Sequence, residues 1–294
     1  MSATTRTIPR KRARPQSFLQ RIGRRFLRNR LAVASLLVLC GLAVIVLLAP
    51  VIAPYAFDAQ DIDLLGQPAP PSWEHLLGTD NLGRDSFSLI LYGGRISLAV
   101  GIAAAMVSTA VGTAIGAISG FYRGWVDMAI MRATDVVLSV PALPLILLIS
   151  GLLRPTVPLL IVIIGGLSWM GTARLVRGQF LSLREREFVE AARALGATNF
   201  RLILRHILPN AVAPITVSAT LTVGQAILLE SAMSFFGFGV QPPTPTWGNL
   251  LNEATQWLDS APWLAIPPGL LIFITVLGVN SLGDGLRDAF DTRA

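Results

Sequence analysis

Six stretches of mainly apolar residues punctuate the chain, at about 31–53, 94–120, 128–152, 157–177, 211–234 and 264–283. About twenty such residues in a helix cross the hydrocarbon core of a bilayer. The pattern therefore predicts an all-α, polytopic membrane protein with six transmembrane helices. Only Arg154 and Pro155 separate the third stretch from the fourth, so a short turn is expected there. Pro141 and Pro144 interrupt the third and predict a kink, which neighbouring helices can tolerate. The first stretch follows a 30-residue arm and is too long for a typical signal segment, so it reads as a retained span.

Smaller patterns refine this picture. Gly101, Ala105, Ser108, Gly112, Gly116 and Gly120 recur at helical spacing in the second stretch. Small residues four apart let helix backbones approach closely, which predicts tight packing and not a site. Ser218, Thr222 and Gln225 share one face of the fifth stretch. They either hydrogen-bond between helices or line a translocation path. Asp135 and Glu230 lie near predicted span ends, where each can pair locally or meet water. Phe18, Ile22 and Phe26 alternate with Arg21, Arg24, Arg25 and Arg28, the pattern of a helix lying in the membrane interface. Residues 1–16, with two prolines and five basic residues, read as disordered.

Composition agrees with a membrane protein. Of 294 residues, 53% are hydrophobic and only 14% charged, and the mean hydropathy is +0.62. Of the 24 basic residues, ten precede residue 31. A basic arm beside a span more commonly sets topology or meets anionic lipid than binds nucleic acid. With the N-terminus inside, inner segments 1–30, 121–132, 174–210 and 284–294 hold 21 basic residues against 3 outside. Both termini are therefore expected in the cytoplasm. Cys40, the single cysteine, cannot form an intrachain disulfide and is expected to pack as an apolar thiol.

Catalytic chemistry is scarce. A phosphate-binding loop of the Walker type needs Gly-Lys-Ser/Thr, and the only lysine, Lys11, sits in Pro-Arg-Lys-Arg. His75 and His206 are the only histidines and lie in different loops, so no residues have metal-ligand spacing. Catalytic and metal residues are expected to be absent, and no cofactor is expected in this chain.

The informative loop is 178–210. Arg184 to Leu195 is rich in helix formers, and Gly196 is a natural C-terminal stop. Thr198 or Asn199 can cap a second short helix, bounded by Pro209. Phe188, Ala192 and Leu195 share a face of the first helix, with small Ala191 and Ala192 near its centre. The helix either docks into a partner's groove or folds onto the chain's own spans.

Glu190-Ala191-Ala192, Gly196 and Leu208-Pro209 resemble the EAA loop of ABC-importer permease subunits. Three further segments narrow the resemblance: His75 to Asp85 followed by Tyr92 to Leu98, Ser234 to Asn249, and Gly283 to Asp288. Together, over roughly residues 20–291, they resemble the second permease subunit of dipeptide/oligopeptide importers, whose relatives carry nickel or other small solutes. His206 stands where the wider pattern has an aliphatic residue. The resemblance implies a type I ABC-importer permease fold. It also implies a homologous permease subunit, two ATPase subunits that bind ATP and Mg, and an external substrate-binding protein. Glu190, Ala191, Ala192 and Gly196 would then couple to the ATPases, with membrane lipid around the spans and no nucleic acid. A channel or secondary transporter is the rival from another class; no internal repeat is visible, which weakens it.

The resulting organisation is a basic arm over 1–30 and a first span over 31–53. An outer loop over 54–93 and a permease core over 94–283 follow, with coupling loop 178–210 and a tail over 284–294. The outer loop is expected to fold, since Trp73, Leu76, Leu77 and Leu82 interleave with its prolines and glycines. Gln241 to Asn249 is expected to be stiff and extended. Asn81 and Trp247 are the expected contacts for the binding protein, Trp247 as an interface residue.

Overall fold

The computed structural model describes residues 18–153 and 156–291. The segment 1–16 and the turn at Arg154 and Pro155 lie outside them. Ten helices carry the described chain: α1 (Phe18–Arg28), α2 (Arg30–Leu47), α3 (Ser86–Tyr122), α4 (Gly124–Ser139), α5 (Ala142–Leu153), α6 (Val157–Leu183), α7 (Glu187–Ala194), α8 (Leu208–Phe235), α9 (Trp247–Ala254) and α10 (Ile266–Phe290). Short helical turns complete the path, including Ala49–Ile52 after α2.

Among the described residues, five helical segments are long and apolar enough to cross a membrane. A sixth crossing is available if α4 and α5 form one span; they meet at an 81° bend. The bend falls at Val140 and Pro141, where the sequence predicted a kink. Proline removes a backbone donor and clashes with the preceding turn.

Three boundaries differ from the sequence reading. The outer loop ends at Asp85 and not near residue 93, because α3 begins at Ser86. Polar Ser86, Ser88 and Arg95 hid these first turns. Pro209 does not close a separate short helix. Residues Leu202–Ile207 form a π-helical segment that runs directly into α8. The wider turn meets a proline that sits at the start of α8, where its missing donor costs least. The tail is also shorter than expected, since α10 continues to Phe290.

The most extensive helix contact joins α3 to α6. Its cause is the small-residue stripe. A Cβ on Gly112 would stand 2.7 Å from the Trp169 carbonyl oxygen, and one on Gly120 would stand 2.7 Å from that of Arg177. One on Gly116 would run into the Ala173 carbonyl. Three glycines four residues apart thus face three carbonyls four residues apart. Lipid offers helices no hydrophobic drive to associate, so this close packing supplies the attraction.

Above and below the seam lie two apolar clusters. Val100, Ala104, Ile146, Leu160, Ile164, Ala226 and Met233 pack α3, α5, α6 and α8 together. Ala117, Phe121, Val176, Phe180, Val189, Leu202 and Ala211 close the end that carries α7. α2 lies against α10, with Ala32, Ser35 and Val46 buried. Cys40 sits off that stripe and is exposed, which corrects the expected packed thiol. α1 also packs on α10, through Phe26 near Gly285.

Gly116→Val tests the seam. Overpacking of this kind costs about 1–3 kcal/mol, so the purified chain should lose thermal stability. Gly166→Val, with no neighbour within 4 Å, should leave the melting temperature nearly unchanged.

Candidate functional site

Three regions bear on function, at the two ends of α3 and along α8. α3 has 37 residues and so spans about 55 Å at 1.5 Å per residue.

At the Tyr122 end lies α7. Its C-terminus closes at Gly196, whose φ of +84° is the left-handed conformation that favours glycine. Gly196 N–H donates to the Arg193 carbonyl, and Ala197 N–H donates to that of Ala192 at 3.1 Å, the six-to-one bond of a Schellman stop. Thr198 accepts from Arg201 N–H at the start of the next turn. Glu190 and Ala191 are exposed, whereas Ala192 is buried with Val189 against Phe121, Phe180 and Leu202. The face expected from Phe188, Ala192 and Leu195 therefore divides. Val189 and Ala192, three apart, point inward, while Leu195 is 89% exposed and Phe200 72% exposed. The small side chain of Ala192 lets α7 sit on its own spans. Glu190 and Ala191 remain on the open side.

Three ion pairs hold the same end together, one of them Arg123 on Glu185 at 2.8 Å. Arg177 grips Asp127 with two bonds, Nε to Oδ1 at 2.5 Å and Nη2 to Oδ2 at 2.6 Å, joining α6 to α4. Arg174 reaches Asp135 at 2.6 Å, so Asp135 is paired locally as expected.

At the other end, residues 75–85 fold into a compact knot. His75 Nδ1 lies 3.0 Å from Asp85 Oδ1, both buried. Asp85 also accepts from the N–H and hydroxyl of Ser88 and so caps α3. Asp80 accepts from Arg84 Nε at 2.6 Å, and Arg84 Nη2 donates to Glu253 Oε2 at 3.0 Å. Burial holds the Glu253 carboxyl above the usual carboxylate range, against the pull of Arg84. The loop is folded, as expected, but not on the apolar residues that predicted it: Leu76 and Leu82 are exposed, and the buried side chains are His75, Thr79, Asp80, Arg84 and Asp85. Asn81 is half-buried and accepts from Gly66 N–H through its carbonyl. Trp73 is 98% exposed.

Trp247 does not occupy the surface. It is 0% exposed, its indole N–H donates to the Ile90 carbonyl at 3.1 Å, and its ring fills the space above Gly94. A direct contact with a docked protein is therefore overturned. Residues 241–249 are not extended either: a turn follows Gln241, and Thr246 caps α9 with a reciprocal bond pair to Asn249. Proline spacing gave no sign that a capping box follows the prolines, nor that Trp247 would have a cleft to fill.

Along α8, Ser218, Thr222 and Gln225 line one groove of about 770 Å³ between α6, α8 and the end of α10. Ser168, Thr172 and Gln179 face it from α6, with Arg287 and Asp291 at its end. Thr172 Oγ1 lies 3.1 Å from Ser218 Oγ, so interhelical bonding and groove lining coexist. Glu230 lies farther along α8, fully buried. Its Oε2 accepts from Ser97 Oγ at 2.9 Å and its Oε1 from Ser234 Oγ at 2.8 Å. The sequence reading saw Glu230 only as a span-end charge and missed Ser97. A lone carboxylate in an apolar run was the available signal.

Residues 112–294 match the family model described as the binding-protein-dependent transport system inner membrane component. This chain belongs to that family. Residues 17–71 match the N-terminal transmembrane domain of oligopeptide transport permease C. The dipeptide transport system permease protein DppC of Alkalihalophilus pseudofirmus is 42% identical over 268 residues, 90% of this chain and 87% of its own. The oligopeptide transport system permease protein OppC of Escherichia coli K12 is 41% identical over 278 residues, 95% and 92% of the two chains. A chain of the MetNI methionine ABC transporter, solved in inward-facing conformations, superposes with a TM-score of 0.58 at 18% identity. The match covers 70% of this chain and 98% of that one. The fold is that of an ABC-importer permease, and the chain is a multi-pass membrane permease.

Trp247→Ala would open a cavity and remove the indole bond to the Ile90 carbonyl. Loss of a buried Trp costs roughly 3–5 kcal/mol. We expect a lower melting temperature and a lower membrane level of the permease, with uptake falling in proportion to the surviving protein.

Proposed function

We propose that this chain is one of two permease subunits of an ATP-driven importer and forms half of a path for dipeptides or oligopeptides. The carrying observation is the near-full-length identity to relatives named as dipeptide and oligopeptide permeases. The groove along Ser218, Thr222 and Gln225 supports it, because hydroxyls and an amide offer exchangeable hydrogen bonds along its length, with the charges of Arg287 and Asp291 confined to its end.

In this reading the chain does no chemistry. A homologous permease completes the path, two ATPase subunits bind ATP and Mg, and an external binding protein delivers substrate at the α9 end. That end's exposed Trp73 and half-buried Asn81 offer the docking surface. At the opposite end, Glu190 and Ala191 present the open side of α7 to an ATPase groove, and Gly196 fixes where α7 stops. Val189 and Ala192 seat α7 on the spans, so a push on α7 reaches α3, α6 and α8. The subunit sits in the plasma (inner) membrane with both termini cytoplasmic, following the 21-to-3 split of basic residues.

Two measurements test this reading. Ala191→Trp should obstruct docking, and Gly196→Asp should strain the helix stop by roughly 1 kcal/mol or more. In the reconstituted complex both should uncouple ATP hydrolysis from uptake of a trialanine probe at normal membrane level. Wild-type coupling in both would remove the assignment of α7. For orientation, Trp73→Cys in a Cys40→Ser background should react with a membrane-impermeant maleimide from outside intact cells. Reaction only from the cytoplasmic side would invert the topology.

A further inference from the structure

The Glu230 side chain is fully buried within α8, and the transport reading gives it no task. It lies on α8 but faces away from the polar groove, toward α3 and α9. Its two oxygens are taken by hydroxyls from two elements, Ser97 on α3 and Ser234 on α8 itself. Ser97 Oγ in turn accepts from Trp247 N–H at 3.2 Å, the first backbone donor of α9. A hydroxyl has one proton to give, and Ser97 gives it to Glu230 while its lone pair receives α9. The chain of bonds therefore runs α8–Glu230–Ser97–Trp247, from span to span to outer helix. No cation pairs with Glu230 among the described residues.

Packing makes this arrangement specific. Gly93 approaches the Thr246 backbone, Gly94 receives the Trp247 ring, and a Cβ on Gly248 would strike the Ser231 carbonyl. The start of α9 is thus pressed into the crease between α3 and α8, with the Glu230 carboxylate beneath it. The far end of α9 is held by Glu253 on Arg84, whose backbone lies just before α3. α9 is therefore tied to α3 at both of its ends.

We propose that Glu230 is a positioning residue that latches α9 to α3 and α8, so that the α9 end of the path moves with the α3–α6 core as one body during transport. An apolar residue of the same size would fill the site but offer Ser97 and Ser234 no acceptor. Ser97 would then turn its proton elsewhere, and its hold on Trp247 N–H would weaken. Buried polar networks stabilise only when every member is satisfied.

This inference rests on the importer reading, and the test separates the two. The complete transporter is reconstituted with Cys40→Ser, and spin labels are placed at Thr255, just past α9, and at exposed Arg95 on α3. The distance distribution between the labels is read alongside trialanine uptake, membrane level and co-purifying ATPase. Glu230→Leu and Ser97→Ala should both broaden or lengthen the distribution and lower uptake per complex by about tenfold, as a loss of buried hydrogen bonds at a joint that must stay closed would. Glu230→Gln, which keeps one acceptor, should fall between them and wild type. Ser97→Ala removes little volume and carries the test where Glu230→Leu does not accumulate. An unchanged distribution in Ser97→Ala, or uptake that falls only with membrane level, would overturn the latch. Wild-type complex without ATP-driven uptake would instead overturn the importer reading.

Discussion

The seam between α3 and α6 is the constraint on which the rest depends. Gly112, Gly116 and Gly120 bring α3 against the carbonyls of Trp169, Ala173 and Arg177. In lipid, apolar side chains gain nothing by leaving one hydrocarbon for another, so backbone proximity must hold a helix pair. Once that pair is fixed, α3 becomes a long rigid rod with one end at α7 and the other at α9. The bidentate grip of Arg177 on Asp127 then adds α4 to the same unit. Arg177 serves twice, since its carbonyl receives Gly120 while its guanidinium holds Asp127.

Each end of the rod is finished differently, and the difference follows from what surrounds it. The helices at the α7 end are held by ion pairs such as Arg177 to Asp127, but α7 itself is seated by apolar contacts, with Val189 and Ala192 lying over Phe121 and Phe180. Contacts of that kind slide and transmit pressure without fixed directions. The α9 end is sealed by directed bonds: His75 to Asp85, Arg84 to Asp80 and Glu253, and Ser97 to Glu230. Charge-assisted bonds keep their partners in one geometry. α7 is therefore seated by undirected contacts, and α9 by directed ones.

Much of this was legible in the sequence because membrane spans write themselves in composition. The six stretches, the kink at Pro141, the close-packing stripe and the stop at Gly196 each follow from a local rule: length, a missing donor, small side chains at one spacing, a left-handed turn. What escaped reading needed two distant partners. Trp247 looked like an interface tryptophan because its neighbours are prolines, yet Gly94, some 150 positions earlier, provides the space that buries it. Ala192 looked like a docking surface because it is small, yet the smallness serves Phe121 and Phe180. The early turns of α3 were masked by Ser86, Ser88 and Arg95, whose polar side chains face the folded loop or open surface and not the apolar core.

α8 shows how one helix can serve two environments. Gln225 and Thr222 line the groove toward α6, whereas Glu230, five residues past Gln225, stands against α3 and α9. At 100° per residue a five-residue step turns a side chain to the other flank of a helix. The polar groups therefore divide between two flanks. Those facing the groove are uncharged hydroxyls and an amide. On the core flank, the Glu230 carboxyl has both oxygens engaged by hydroxyls. Rotation of α8 about its axis would disturb both at once. A shift that opens the groove must therefore either carry α3 and α9 with it or break the bond between Glu230 and Ser97. Since α3 is bound to α6 along its length, the contacts within the chain hold α8, α3, α6 and α9 together as one unit.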